Sequence, residues 1–265
     1  PMMVLFISIL LATANLMNNL WDVDSDRKNT KIPWFTSGSM SIRQGSFYLI
    51  FLIVAGFAGL IFSGQWETII PLIFLVFVVN VLYNVPPFSY KDKGWGSISI
   101  SALYGITFWL IGTGYSSDIA ALTLDEMLGY ILAYTSVSLV AMMMDLKGDN
   151  QSAKKTFAVL FGKRKTSWIS VSLVIAAIIL AIIKRDFVLG VPSILTLPLF
   201  ILNTRKQASR KILLLTARVP VVLLSVSVAI VYAPIYLAII PVYFFLSKWY
   251  HSKRFDMNYP SFTKG

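Results

Sequence analysis

Cysteine is absent from the 265 residues, which rules out a disulfide framework, a thiolate metal site and a cysteine nucleophile. Charge is scarce too: 13% of residues are Asp, Glu, Lys or Arg, against 57% hydrophobic residues and a mean hydropathy of +0.73. A soluble fold is excluded, because apolar runs long enough for a bilayer core, about 20 residues each, recur along the chain. The runs fall at roughly 2–21, 43–63, 68–85, 98–114, 126–144, 167–184, 187–203, 213–231 and 233–249. In lipid each backbone amide must be satisfied inside its own segment, so the runs are read as helices. The expected fold is all-α: a polytopic transmembrane helical bundle of about nine segments, a single domain over 1–265, with cytoplasmic loops capping a central cavity. Pro192 and Pro198 predict a bend in the seventh run. The chain opens on Pro1 rather than Met, and one further N-terminal helix is expected upstream.

Acidic residues are few, 12 against 23 Lys and Arg, for a net charge of +11. Such an excess would suggest nucleic acid in a soluble chain, but here its distribution is a topology signal, and no nucleic-acid partner is expected. The odd-numbered connections and the tail hold every Lys and Arg except Lys184 and Arg185 on the opposite face and Arg218 inside the eighth run. By the positive-inside rule the basic face is cytoplasmic, so the protein is expected in the cell membrane with its active-site loops on that side. Arg218 is expected to pair or to snorkel to the cytoplasmic rim.

The few acids are concentrated where the apolar runs end. The stretch Asn18–Lys28, NNLWDVDSDRK, puts Asn18, Asp22 and Asp26 at i, i+4 and i+8, which on a helix is one face with modest angular drift. Asn15 joins that face one turn deeper, and Asp24 points away as a solvated residue. A second array, Asp145 and Asp149 in MMMDLKGDN, repeats the four-residue spacing at the cytoplasmic end of another run. Carboxylates beside hydrocarbon are costly unless paired or metal-bound. Two arrays of hard oxygen ligands at matched depth suit Mg2+, which keeps several waters and is completed by substrate phosphates. Neighbouring loops supply cations for a diphosphate: Arg27 and Lys28 after the first array, Lys147, Lys154 and Lys155 around the second. The stretch YNVPPFSYKDKGWGS adds Lys91 and Lys93, with Tyr83 and Tyr90 as hydroxyl donors.

These residues carry a family resemblance. NNLWDVDSD resembles the NxxxDxxxD motif of the UbiA superfamily of intramembrane prenyltransferases, and DLKGD followed by KKTFAVLFG is similar to its second motif. YNVPPFSYKDKGWGS resembles the third element, a Tyr followed by a Pro pair, Lys and Gly. The likeness runs in order from Asn15 to about Gly162. Asn29, Ser37 and Gly38 keep the family spacing, whereas Pro33 and Trp34 stand where Arg-Pro is usual, Asn150 stands for a frequent Arg, and Ser97 for an Asn.

The resemblance implies Mg2+-dependent transfer of a polyprenyl group from an allylic diphosphate to a lipophilic acceptor inside the bilayer. It implies Asn18, Asp22, Asp26, Asp145 and Asp149 as metal ligands, with the four Asp and Lys91 acting in catalysis. Asn18, Arg27, Tyr83, Tyr90, Lys147, Lys154 and Lys155 are implied substrate contacts. Tyr83, Phe88, Trp95, Tyr104 and Trp109 are candidates for facing an allylic cation. Lys91 and the Pro86–Pro87 pair favour an aromatic, quinone-precursor acceptor over a glycerol-phosphate lipid. A cation-coupled transporter fits less well, because the acids sit at one face and no internal repeat is evident. A CDP-alcohol phosphotransferase would carry a DGxxAR stretch, which is absent.

Overall fold

A computed structural model describes residues 2–28, 34–64, 72–113, 124–205, 209–256 and 259–261. Asn29, Lys31, Pro33, Lys206 and Lys264 lie outside the described residues, as does most of the 115–125 connection. The helices are α1 (Met2–Trp21), α2 (Val23–Lys28), α3 (Ile42–Phe62), α4 (residues 72–84), α5 (Gly94–Thr113), α6 (Leu124–Gln151), α7 (Phe157–Lys184), α8 (Phe187–Asn203), α9 (Arg210–Tyr232) and α10 (Tyr236–Phe255). Four of these, α3, α6, α7 and α9, are long and apolar enough to cross a membrane by length and composition, and α1, α4 and α8 carry shorter apolar stretches. Apolar side chains stand exposed at helical spacing, Phe47, Ile50, Phe51 and Val54 on α3 and Ile175, Ile179, Ile182 and Ile183 on α7. In water such stripes would be anomalous; against lipid they are the expected outer surface.

The described chain forms two compact units. The first holds residues 1–127 and 145–160, the second residues 128–144 and 161–265. In the first unit α1 packs on α3, and α4 and α5 complete the core. Leu10, Leu60, Leu72 and Leu75 form its centre, with Phe6, Ile7, Leu11, Ala14, Phe57, Val76 and Tyr104 around them. The close approach of α1 and α3 depends on missing side chains: a Cβ at Gly56 would stand 2.7 Å from Leu10, and one at Gly59 would overlap Phe6. Small residues on a contact face let membrane helices approach closely. Ser41 caps α3 with a reciprocal box, accepting from the Gln44 amide at 3.2 Å while its own N–H donates to Gln44 Oε1 at 2.9 Å. Inside α4 the turn widens to a π-helix over Phe77–Leu82. There the buried Asn80 donates to Thr13 Oγ1 of α1 at 3.0 Å, a polar tie between helices.

In the second unit α8 packs on α9, and α9 on α10. Pro192 and Pro198 lie inside α8, and the Thr196 hydroxyl donates to the Pro192 carbonyl at 2.7 Å. Asn203 donates to Thr216 Oγ1 at 2.8 Å, and Ser170 donates to the Ser136 carbonyl at 2.8 Å. Asp186 follows a left-handed Arg185 and caps α8, accepting from the Leu189 amide at 3.0 Å. Arg218 sits half-buried in α9.

The stretch after residue 144, expected as a long cytoplasmic connection, is helical at both ends. α6 continues through both acids to Gln151, and α7 starts at Phe157, with a break in helical geometry at Gly162. Polar residues alone do not end a helix; the stop is a left-handed residue, Ala153 (φ 55). The Ala153 amide donates to the Asn150 carbonyl at 3.3 Å and the Lys154 amide to the Asp149 carbonyl at 3.0 Å, the paired bonds of a Schellman ending.

Candidate active site

The site lies within the first unit, built from the α1–α2 junction, the loop before α5 and the end of α6. α1 formally ends at Trp21, yet the ladder persists across the break: the Asp22 amide donates to the Asn18 carbonyl at 2.9 Å and the Asp26 amide to the Asp22 carbonyl at 2.7 Å. Helical phase therefore carries through Asn18, Asp22 and Asp26, as the spacing predicts. Asp26 is buried, whereas Asp24 is exposed, 4.0 Å from an exposed Arg27. Asn15, expected one turn deeper on the same face, stays exposed rather than packed into the cluster.

Asp22 is the centre of the cluster. Lys91 donates to Asp22 Oδ2 at 2.7 Å, to Asn18 Oδ1 at 2.8 Å and to Asn84 Oδ1 at 2.8 Å. Lys154 donates to Asp22 Oδ1 at 2.6 Å and lies 3.4 Å from Asp92. The second array meets the first through Ser25, whose hydroxyl donates to Asp149 Oδ1 at 3.2 Å, and through Lys28, which donates to the Gln151 carbonyl at 2.9 Å. Asp149 also lies within electrostatic reach of Lys154, Asp145 and Asp22.

Burial raises the Asp22 carboxyl, and the Lys91 and Lys154 ammoniums outweigh it, holding the group below the ordinary carboxylate value. Burial pushes the Lys91 ammonium down, against the pull of Asp22. Burial also lowers Lys154, but Asp22 and Asp92 together lift it above the ordinary lysine value. For Asp92 burial prevails over Lys154 and Lys91, so its carboxyl sits above the ordinary range.

Several of the residues expected to contact substrate are exposed. Arg27 is exposed beside Asp24. Lys147 is exposed because two helical residues, about 200° of rotation, separate it from each of Asp145 and Asp149. Lys155 is exposed because it lies on a two-residue strand, β1 (Lys155–Thr156), whose side chains alternate out and in. Tyr90 is exposed beneath Lys93, 5.2 Å from the ring centre. Tyr83 presents its ring to Lys91, which stands 5.5 Å from its centre, and Tyr104 meets it edge-on at 5.6 Å. Phe88 and Trp95 are exposed, Trp95 against the edge of Phe157 at 5.1 Å. Sequence reasoning missed Asn84, Ser25 and Asp92. Asn84 carried a signal, a second amide closing an apolar run, four residues after Asn80.

The donor set fits Mg2+. Asn18, Asp22, Asp26, Asp145 and Asp149 offer hard amide and carboxylate oxygens and no sulfur or imidazole. Among the described residues no three acids stand close enough to cage an ion alone, so the fit is to a cation that draws the rest of its shell from phosphate and water.

Two carboxylate motifs at the ends of apolar helices thus meet across the Lys91 and Lys154 ammoniums. The chain belongs to the UbiA prenyltransferase family, whose model matches residues 2–209. It is similar to the digeranylgeranylglyceryl phosphate synthase of Methanobrevibacter smithii, 26% identical over 175 residues, or 62% of this chain and 59% of that protein. It is also similar to the homogentisate phytyltransferase of Synechocystis, 30% identical over 161 residues, or 56% of this chain and 50% of that protein. The chain thus spans between half and three fifths of the length of these two curated relatives. A solved UbiA homolog from Archaeoglobus fulgidus, bound to GPP and Mg2+, has the same fold, with a TM-score of 0.62 over 87% of this chain and 86% of that one at 16% identity.

Proposed function

We propose that the protein transfers a prenyl group from an allylic diphosphate to a lipophilic acceptor within the membrane, using Mg2+. The observation that carries this reading is the meeting of the two motif segments: Lys154 of the second motif lies 2.6 Å from Asp22 of the first, and Lys91 of the third element lies 2.7 Å from the same carboxylate. Mg2+ held by Asn18, Asp22 and Asp26 on one side and Asp145 and Asp149 on the other would stabilise the departing diphosphate.

The chain's own groups account for the remaining needs. Lys91 and Lys154 bring two ammoniums to the position where a diphosphate would bridge the arrays, and each can exchange Asp22 for a phosphate oxygen. Asn84 and Asn18 fix the Lys91 ammonium from two sides. The Tyr83 ring faces that ammonium, and with Tyr104 it offers π-faces beside the point of ionisation, where an allylic cation needs support. Burial keeps out water that would quench such a cation. The basic residues of the connections, read by the positive-inside rule, favour the cytoplasmic side for this site.

On the acceptor, Lys91 is bonded to Asp22, Asn18 and Asn84, and in this reading it serves the diphosphate end of the site. The M. smithii relative is named for a glyceryl phosphate product and the Synechocystis relative for homogentisate, so both acceptor classes belong in the test. Purified protein with Mg2+ and geranylgeranyl diphosphate, offered a prenylated glycerol phosphate, homogentisate and a quinone-precursor benzoate, is expected to give one prenylated product by mass spectrometry. Release of neither product nor diphosphate from any combination, with intact folded protein, would overturn the reading.

A further inference from the structure

Asp92 belongs to none of the motif positions, yet the backbone register places it at the site. Lys93 and Gly94 form parallel bridges with Lys155 and Thr156. Residues paired across such a bridge point their side chains to the same side, and neighbours alternate. Lys93 and Lys155 both point out, and Thr156 is buried opposite Gly94. One step upstream, at the end of the Tyr90–Asp92 turn, the Asp92 carboxylate stands 3.4 Å from the Lys154 ammonium. The Gly94 pairing is tight: a Cβ there would stand 2.7 Å from Leu160. The turn Tyr90–Asp92 also carries Lys91, so one short segment presents a cation to Asp22 and an anion to Lys154.

We infer that Asp92 is a positioning residue for Lys154, holding its ammonium over the diphosphate position when Asp22 turns to a divalent cation. This rests on the proposed function. Lys154 has two carboxylate partners, Asp22 at 2.6 Å and Asp92 at 3.4 Å. A cation taken up by Asp22 removes the nearer one, and a lysine with no remaining anchor would lose its aim to side-chain freedom. Asp92 supplies that anchor without being a metal ligand.

The test is Asp92→Asn in the full chain in detergent, with Mg2+ and a non-ionisable thio-analogue of geranylgeranyl diphosphate as the probe, read by calorimetry. Affinity is expected to fall roughly three- to tenfold, with the KM for prenyl diphosphate rising in parallel and kcat largely kept. Lys154→Met should show a similar fall, and adding Asp92→Asn to it should cost nothing more. Wild-type affinity in Asp92→Asn, or losses that simply add, would overturn the inference. If Asp92→Asn does not fold, Asp92→Glu takes its place: retained affinity supports the inference and a loss as large as that of Lys154→Met overturns it. A wild-type protein that binds no analogue would instead end the proposed function itself.

Discussion

Lys91→Met isolates what the buried ammonium contributes. The side chain is 7% exposed and donates to Asp22, Asn18 and Asn84 at 2.7–2.8 Å. Met keeps much of the volume and removes all three donors. Removing one partner of a buried ion pair costs about 3–5 kcal/mol when the other charge is left alone. Here Lys154 keeps its hold on Asp22 at 2.6 Å, and the desolvation cost of Lys91 is itself relieved, so a loss of about 2–3 kcal/mol is expected. Equilibrium unfolding in detergent without added metal is the assay, with Lys93→Met as a neutral control. Combined with Asp22→Asn, the two losses should fall short of additivity by about 1–2 kcal/mol, because each variant removes the other's partner. Wild-type stability in Lys91→Met, or full additivity with Asp22→Asn, would refute the account of Lys91 as the counter-ion of Asp22.

Asp22→Asn, Asp26→Asn, Asp145→Asn and Asp149→Asn should each abolish Mg2+-dependent diphosphate release while Asp24→Asn, at an exposed position, leaves it intact; an inactive Asp24→Asn beside an active Asp26→Asn would contradict the helical phase. Asp22 is held below the ordinary carboxylate value, so its stabilisation is complete above that value and is lost as pH falls through the lower folded one; Asp22→Asn should flatten that part of an acid-unfolding profile. Thr13→Val leaves the buried Asn80 amide without its partner on α1 and should cost about 0.5–1.5 kcal/mol of stability with turnover unchanged. Gly59→Val should force Phe6 and α1 away from α3 and lower the melting temperature, a loss of about 1–3 kcal/mol.

The helical character of the chain and the two acid ladders were readable because both depend on a fixed rotation per residue. Asn18, Asp22 and Asp26 stay in phase across the break at Asp22, and Asp145 and Asp149 lie on one face of α6 because α6 does not end before them. The cations were not readable in the same way. Lys147, Lys154 and Lys155 look equivalent in sequence, and their directions depend on rotation past two acids, a left-handed turn and a two-residue strand respectively. Asp92 and Ser25 gave no signal, since each gains meaning from a partner more than sixty residues away. Asn15 is exposed for a further reason: a shared face along a helix does not decide what packs against it.

The left-handed residue at Ala153 ends α6 and in the same step brings Lys154 onto Asp22 and Asp92 and within electrostatic reach of Asp149. Ladder, stop and counter-charge are therefore encoded within a dozen consecutive residues, and they travel together in any exchange of segments between relatives. A chimaera that imported residues 145–156 would still depend on the host's Asp22 and Asp92 positions to receive Lys154. One that divided this stretch at the turn would separate Asp149 from the cation within its reach and break the Schellman bonds that aim Lys154.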